Sequence, residues 1–275
     1  MSDFSLTLVV NLGLLVGLLT LLWGVSLRLR DAGIIDPCWG LGFVLVAWLS
    51  FVLNHPTSWR ACLISILTTL WGLRLSFYLL KRSLGHGEDR RYAAMRQHHG
   101  PRFWWVSLFT VFLLQALVLW FIAWPLQAAC VLKSQKSLGW LDWLGVALWL
   151  IGFLFEAIGD WQLVKFKSAP ENVGKVLDRG LWRFTRHPNY FGDSCVWWGI
   201  YLIVIGTGAW WTIGSPLLMT FLLLYISGVS LLERTIVDRR PEYAAYQSRT
   251  SAFFPWPPLN DRMGSRVERG NVRQP

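Results

Sequence analysis

The sequence has no CxxC pair and no cluster of cysteine with histidine. Its four cysteines, Cys38, Cys62, Cys130 and Cys195, show no paired spacing. A zinc ribbon is excluded, and nothing suggests a disulfide framework. Three of the four lie in apolar runs or at their edges, where cysteine acts as a small hydrophobe. No metal site is expected. No internal repeat is visible. No basic segment precedes the first apolar run, which has only Ser2 and Asp3 before it. That run is long and lacks a small-residue cleavage site, so it reads as a retained helix and not a signal peptide.

Charge is also missing from long stretches. Seven apolar runs cover about 5–27, 37–54, 60–80, 103–126, 139–163, 188–207 and 211–232, each near the roughly 20 residues a membrane-spanning helix needs. The expected fold is an all-α integral membrane protein of seven transmembrane helices in one domain, 1–255. Residues 256–275 form a Pro-, Gly- and Arg-containing tail, poor in apolar residues and expected to be disordered.

The net charge of +10 is unevenly placed. Of 26 Lys and Arg, 22 fall after runs 1, 3 and 5 or in the tail. The other side holds Arg60, Lys133 and Lys136, and Arg74 lies within run 3. The positive-inside rule then puts the N-terminus outside and the C-terminus in the cytosol. The same asymmetry makes the charge a topology signal, with no basic soluble domain left to bind nucleic acid.

Polar residues gather at the cytosolic ends of the runs. Asp36 opens run 2, and Arg74 and Tyr78 lie late in run 3. Glu156 and Asp160 share a face of run 5, Asn189 and Asp193 open run 6, and Glu233 closes run 7. Asp142, at the opposite end of run 5, reads as a helix-start carboxylate. Taken singly, each has a plain account: an acid pairs with an arginine for structure, and Tyr and Trp anchor at the interface. Together they predict one connected cytosol-facing cavity, because charge within a membrane is costly unless it is paired or used. Basic loops around such a cavity suit a phosphate-bearing cofactor. An apolar bundle suits a lipophilic small-molecule substrate.

The strongest local signal is LDRGLWRFTRHPNYFGD, Leu177 to Asp193. Pro188 suits the first helical position. Asn189 and Asp193 are one turn apart and share a face. The helix start offers unpaired N–H groups beside Arg186, an arrangement suited to an anion.

The segment RHPNYFGD, followed by LLERTIVDRRPEYAAYQSRTSAFFP, resembles the C-terminal half of the steroid 5-alpha-reductase and sterol reductase superfamily, which also includes isoprenylcysteine carboxyl methyltransferases. WGLGFVLVAW, WGLRLSFYLLKR and GHGEDRRYAAMRQHHG resemble a bacterial branch of that group. The resemblance implies seven helices in an inner or plasma membrane, with the cofactor half at about 139–255. It favours NADPH over S-adenosylmethionine, because the methyltransferases generally lack the acid found here at Asp193. It implies that Asp160, Asn189 and Asp193 contact the nicotinamide and ribose region, with Glu156, which stands where the steroid reductases have an Asn, and Tyr190 among the cofactor-binding residues. Lys167, Arg179 and Arg186 would neutralise phosphates, and Tyr243 and Tyr246 would close over the adenine side. The implied reaction is hydride transfer to an activated C=C of a steroid-like or other lipophilic enone. The family's early-helix Glu aligns with Asp36, and its tyrosine with Trp71, which leaves Asp36, Arg74 and Tyr78 as catalytic candidates. Two further readings stay open: a methyltransferase of a membrane-embedded acceptor, and a non-enzymatic transporter or lipid-binding scaffold. The oligomeric state is not legible.

Overall fold

The computed structural model describes residues 3–85, 87–132, 137–226, 228, 229, 233, 236, 240 and 242–259. The described residues contain helices and no strand. Most of the expected tail, 260–275, lies outside them, as do Lys133, Lys136, Arg234 and Arg239 from the charge count.

Among the described residues, five helical stretches are long and apolar enough to cross a membrane. The first is α1 (Asp3–Leu29). The second joins a 3₁₀ turn (Ala32–Ile35) to α2 (Cys38–Asn54), and the third is α3 (Trp59–Ser83). The fourth runs from α4 (Arg90–His99) through α5 (Phe103–Ser107) and a π-helical stretch (Leu108–Leu113) into α6 (Leu114–Ile122). After the break at Ala123 comes the short α7 (Trp124–Val131). The fifth spanning stretch is α8 (Trp140–Ser168).

The last two expected spans are shorter. Helix α9 (Pro188–Ile205) has 18 residues, about 27 Å at 1.5 Å per residue, against a hydrocarbon core of about 30 Å. Asn189 and Asp193 also lower its mean hydropathy. Trp210–Ile226, which contains α10 (Gly214–Phe221), is shorter still. Residues 227 and 230–232 of that expected span lie outside the described ones. Helix α11 (Glu242–Arg249) is polar and closes the helical series.

Local signals account for the ends. The Ser58 hydroxyl caps α3 by accepting from Arg60 N–H at 3.2 Å, and Lys81 and Arg82 complement the dipole in its last turn. Helix α2 stops at His55, which adopts a left-handed conformation at φ 44° and donates its N–H to Phe51 O at 3.0 Å. Pro188 occupies the first position of α9, as its ring geometry favours.

The chain forms two compact units, Met1–Ala147 with Trp197–Leu218, and Leu148–Val196 with Met219–Pro275. In the first, α2 and α3 touch backbone to backbone. A Cβ on Gly72 would sit 2.6 Å from Gly40 O, so only glycine permits this approach. Beside that contact Phe43, Trp71 and Trp197 pack as one aromatic cluster, with centroids 4.5–5.6 Å apart.

Two buried polar groups cross-link this unit. Asn11 Nδ2 donates to Ser50 Oγ at 2.9 Å and Gln127 Oε1 at 3.1 Å. Arg60 grips both oxygens of Asp142 at 2.7 and 2.8 Å, and both residues are buried. Asp142 also accepts from Gly139 N–H at 2.6 Å, the helix-start role read from the sequence, with an ion pair added. Arg60, counted with the loop cations, is a buried residue of α3's first turn.

In the second unit α8 and α9 meet in the same way. A Cβ on Gly152 would stand 2.5 Å from Gly192 O, and one on Gly192 would stand 2.6 Å from Glu156 N. Two turns on from Gly152, Gly159 packs against Pro188.

Candidate functional site

The Gly152–Gly192 contact determines which side chains meet in the second unit. Four residues separate Gly152 from Glu156, and four more reach Asp160, so all three share the face of α8 turned to α9. Glu156 and Asp160 are buried, at 3% and 4% exposure. On α9, Asn189 Nδ2 donates to Asp160 Oδ1 at 3.1 Å. Its own Oδ1 accepts Tyr190 N–H at 3.0 Å, satisfying one orphan donor of the helix start. Asp193 is half-buried one turn along. The structure thus brings Asp160 and Asn189 into direct contact.

The loop before α9 is held from the other side. Arg186 Nε and Nη2 donate to the two Glu233 carboxylate oxygens at 2.7 and 2.9 Å. Its Nη1 donates to Gln247 O and Thr250 O at 2.9 and 2.6 Å. His187 Nε2 lies 3.0 Å from Glu233 Oε1, and Tyr243 and Gln247 donate to the same carboxylate at 3.3 and 3.0 Å. Burial opposes ionisation of Glu233, but hydrogen bonds from His187 and Arg186, with the Arg186 charge, outweigh it and bring the carboxyl down to about 2. Burial first, then the Glu233 charge, pushes the Tyr243 phenol well above its usual range. Tyr246 is buried too and donates to Trp182 O. The backbone completes the fastening: Arg186 N–H donates to Ser251 O at 2.8 Å, and Trp256 N–H to Phe184 O at 2.9 Å.

The residues assigned to phosphate and adenine therefore divide. Lys167 and Arg179 are exposed, and the Arg179 guanidinium lies 5.9 Å from the Phe166 ring centroid. Lys167 sits seven residues after Asp160, on the same side of α8. Arg186, Tyr243 and Tyr246 are committed to internal bonds. Tyr190 stacks on His187, with centroids 5.4 Å apart and planes 7° apart.

In the first unit, Asp36 follows the 3₁₀ turn and accepts from two residues of α4. Arg91 Nη2 is 2.5 Å from Oδ2, and the Tyr92 hydroxyl donates to Oδ1 at 2.8 Å. Gln115 Nε2 donates to the same hydroxyl at 3.2 Å, and Trp39 Nε1 donates to Gln115 Oε1. The adjoining loop is tied down by Glu88, which accepts Ala32 N–H and a bidentate Arg96 at 2.7–2.8 Å. Burial opposes ionisation of Glu88, but Arg96 and the Ala32 N–H hold its carboxyl below the usual value. Arg74 lies 5.9 Å from the Tyr78 ring centroid on α3. Trp71, the residue aligned with the family tyrosine, is fully buried in the aromatic cluster.

Sequence reading missed Arg91, Tyr92, Gln115 and His187 as site residues. Tyr92 and Arg91 lie in GHGEDRRYAAMRQHHG, which signalled a basic loop and gave no pairing. Gln115 is an isolated amide within an apolar run, a pattern that marks a buried polar partner. No group of three or more His, Cys, Asp or Glu able to hold a metal occurs among the described residues.

These features define an all-helical protein whose long apolar helices are those of a multi-pass membrane protein. A family model described as "Protein of unknown function (DUF1295)" matches residues 22–250, and the chain belongs to that family. It is also 28% identical over 264 residues to an uncharacterised protein of Schizosaccharomyces pombe, covering 85% of this chain and 75% of the relative. No solved structure matches the chain.

Proposed function

We propose that the protein is an NADPH-dependent membrane reductase acting on an activated C=C of a steroid-like or other lipophilic enone. The observation carrying this reading is the Asp160–Asn189 contact, which joins a buried carboxylate and an amide at the start of α9. It is supported by the resemblance of RHPNYFGD to the sterol reductases. It is also supported by the chemistry of the donor set, in which amide and carboxylate groups match the carboxamide and hydroxyls of a nicotinamide riboside. Lys167 and Arg179 are exposed cations suited to its phosphates. Arg186 is spent on Glu233 and serves to hold the loop that positions Asn189.

Bound there, NADPH would supply a hydride to the β-carbon of the enone, and the α-carbon would take its proton from solvent. The chain's own part is positioning: Asp160 holds the Asn189 amide, and Lys167 and Arg179 are the exposed cations for the phosphates.

The test is titration of purified protein with NADPH and, separately, with S-adenosylmethionine, followed by single-turnover loss of nicotinamide absorbance with a 4-ene-3-ketosteroid. NADPH binding with turnover is the expected result. Binding of S-adenosylmethionine alone would move the protein to the methyltransferases, and binding of neither would leave the scaffold reading.

A further inference from the structure

The first unit contains an open cavity of about 580 Å³ along the start of α2 and the end of α3. Ile34, Cys38 and Leu41 line one wall, and Leu73, Phe77 and Leu80 line the other. Leu41 and Leu73 lie next to the Gly40–Gly72 contact. The opposite end is polar, formed by Asp31, Ser83 and the turn containing Gly85 and Gly87. Both glycines have positive φ, 78° and 70°, which suits residues without a Cβ. From Leu73 to Leu84 the α3 wall rises about 16 Å at 1.5 Å per residue. The volume lies within the roughly 300–1,000 Å³ usual for a small-molecule site.

The chemistry of the two ends is unequal. Ser76 Oγ accepts Leu41 N–H at 3.0 Å and so is already engaged. Asp31 Oδ1 accepts Gly33 N–H at 2.7 Å, and among the described residues no hydrogen bond reaches its other oxygen. A carboxylate at the mouth repels a phosphate or carboxylate head and accepts from a hydroxyl. Arg28, Arg30, Lys81 and Arg82 adjoin this end in sequence; they disfavour a cationic head and offset part of the Asp31 repulsion, so an anionic head is the competitor to be separated. Leu73 and Phe77 are also exposed on the outer face of α3, so an apolar body can enter sideways from lipid.

We infer that this cavity binds a lipid alcohol: an uncharged amphiphile whose apolar body lies along α3 and whose terminal hydroxyl donates to Asp31. The inference concerns the first unit alone and requires neither NADPH nor turnover, so it stands or falls apart from the reductase reading.

The experiment uses full-length protein in phosphatidylcholine vesicles with three diazirine-bearing probes of equal chain length: hexadecanol, hexadecanoic acid and hexadecylamine. After photolysis, cross-linked residues are mapped by peptide. Hexadecanol should label 34–41 and 73–84 and be displaced by excess unlabelled hexadecanol. Asp31→Asn keeps an acceptor for the Gly33 N–H but removes the charge, and should cut hexadecanol labelling by about tenfold, the effect of one lost charge-assisted hydrogen bond. Leu73→Trp should fill the cavity and suppress labelling similarly. In the unaltered chain, hexadecanol should slow alkylation of Cys38 by N-ethylmaleimide, a readout that does not depend on any variant folding. Equal labelling by the acid or the amine, or labelling indifferent to competitor and to Leu73→Trp, would show bulk lipid along an exposed helix and overturn the inference. Unprotected Cys38 would overturn it as well.

Discussion

Arg186 and Glu233 form a two-pronged ion pair, 47 residues apart in the chain, that also collects His187, Tyr243 and Gln247 on one carboxylate. The pair joins the loop ahead of α9 to the segment that follows it. Its removal should act on this unit's architecture before it acts on any chemistry.

Arg186→Lys retains the charge but loses the planar fork that matches two carboxylate oxygens and two carbonyls. Arg186→Ala leaves the part-buried Glu233 carboxylate without its cationic fork but with His187, Tyr243 and Gln247 still on it, a loss below the roughly 3–5 kcal/mol of a broken fully buried pair. Thermal unfolding should rank the variants parent above Lys above Ala. A double-mutant cycle with Glu233→Gln should give a strong coupling energy. Additive effects would mean that the pair is incidental.

The same carboxylate predicts an acid response. Glu233 titrates near 2 in the folded chain and near its ordinary 4.5 when unfolded. Folding with a depressed carboxyl pKa gains stability above the unfolded value and loses it as pH falls toward the folded one. The unfolding temperature, followed by tryptophan fluorescence, should fall between about pH 4.5 and 2 in the parent. In Glu233→Gln it should start lower and fall less over that window. Glu88 and Asp89, also lowered, contribute to both proteins, so the difference between the two curves isolates Glu233.

Asp160→Ala and Asp193→Ala should each weaken NADPH binding by roughly 10- to 150-fold, the range for one lost charged hydrogen bond of about 1.5–3 kcal/mol. Fluorescence titration measures this directly. Normal NADPH affinity in both variants would remove the start of α9 from the cofactor site.

Tyr92→Phe deletes one hydroxyl and leaves the ring. It removes a bond to the Asp36 carboxylate and one from Gln115, so thermal unfolding should show a loss of about 1.5–3 kcal/mol. An unchanged midpoint would mean that the Asp36–Tyr92–Gln115 chain is incidental to the first unit.

Helix content, the first five long apolar stretches and the helix start at Pro188 were legible because apolar runs and proline position are local properties. The last two spans do not stand out among the described residues as the first five do, because polar residues lower the apolar character of α9 and part of the final run lies outside those residues. Side-chain pairing was far less legible. The resemblance aligned Asp36 with the family acid and Trp71 with its tyrosine; the structure gives Asp36 to Arg91 and Tyr92 of α4, in a stretch read as merely basic, and buries Trp71 among aromatics. The resemblance assigned Arg186 to phosphate, and only the fold supplies Glu233 as its partner. Gly40, Gly72, Gly152 and Gly192 carried no visible signal, because a glycine in an apolar helix announces close approach only once its opposite number is known.

The Arg60–Asp142 pair bears on how the chain is made. The two residues are 82 positions apart, and at about 5–20 residues per second synthesis delivers the arginine roughly 4–16 s before its aspartate. During that interval α3 carries a cation in its first turn with no permanent counter-charge. The helix therefore has a reason to stay shallow, or in the care of the insertion machinery, until α8 emerges. Stalling translation short of Asp142 should leave Arg60 open to water-soluble reagents, and release past it should close that access.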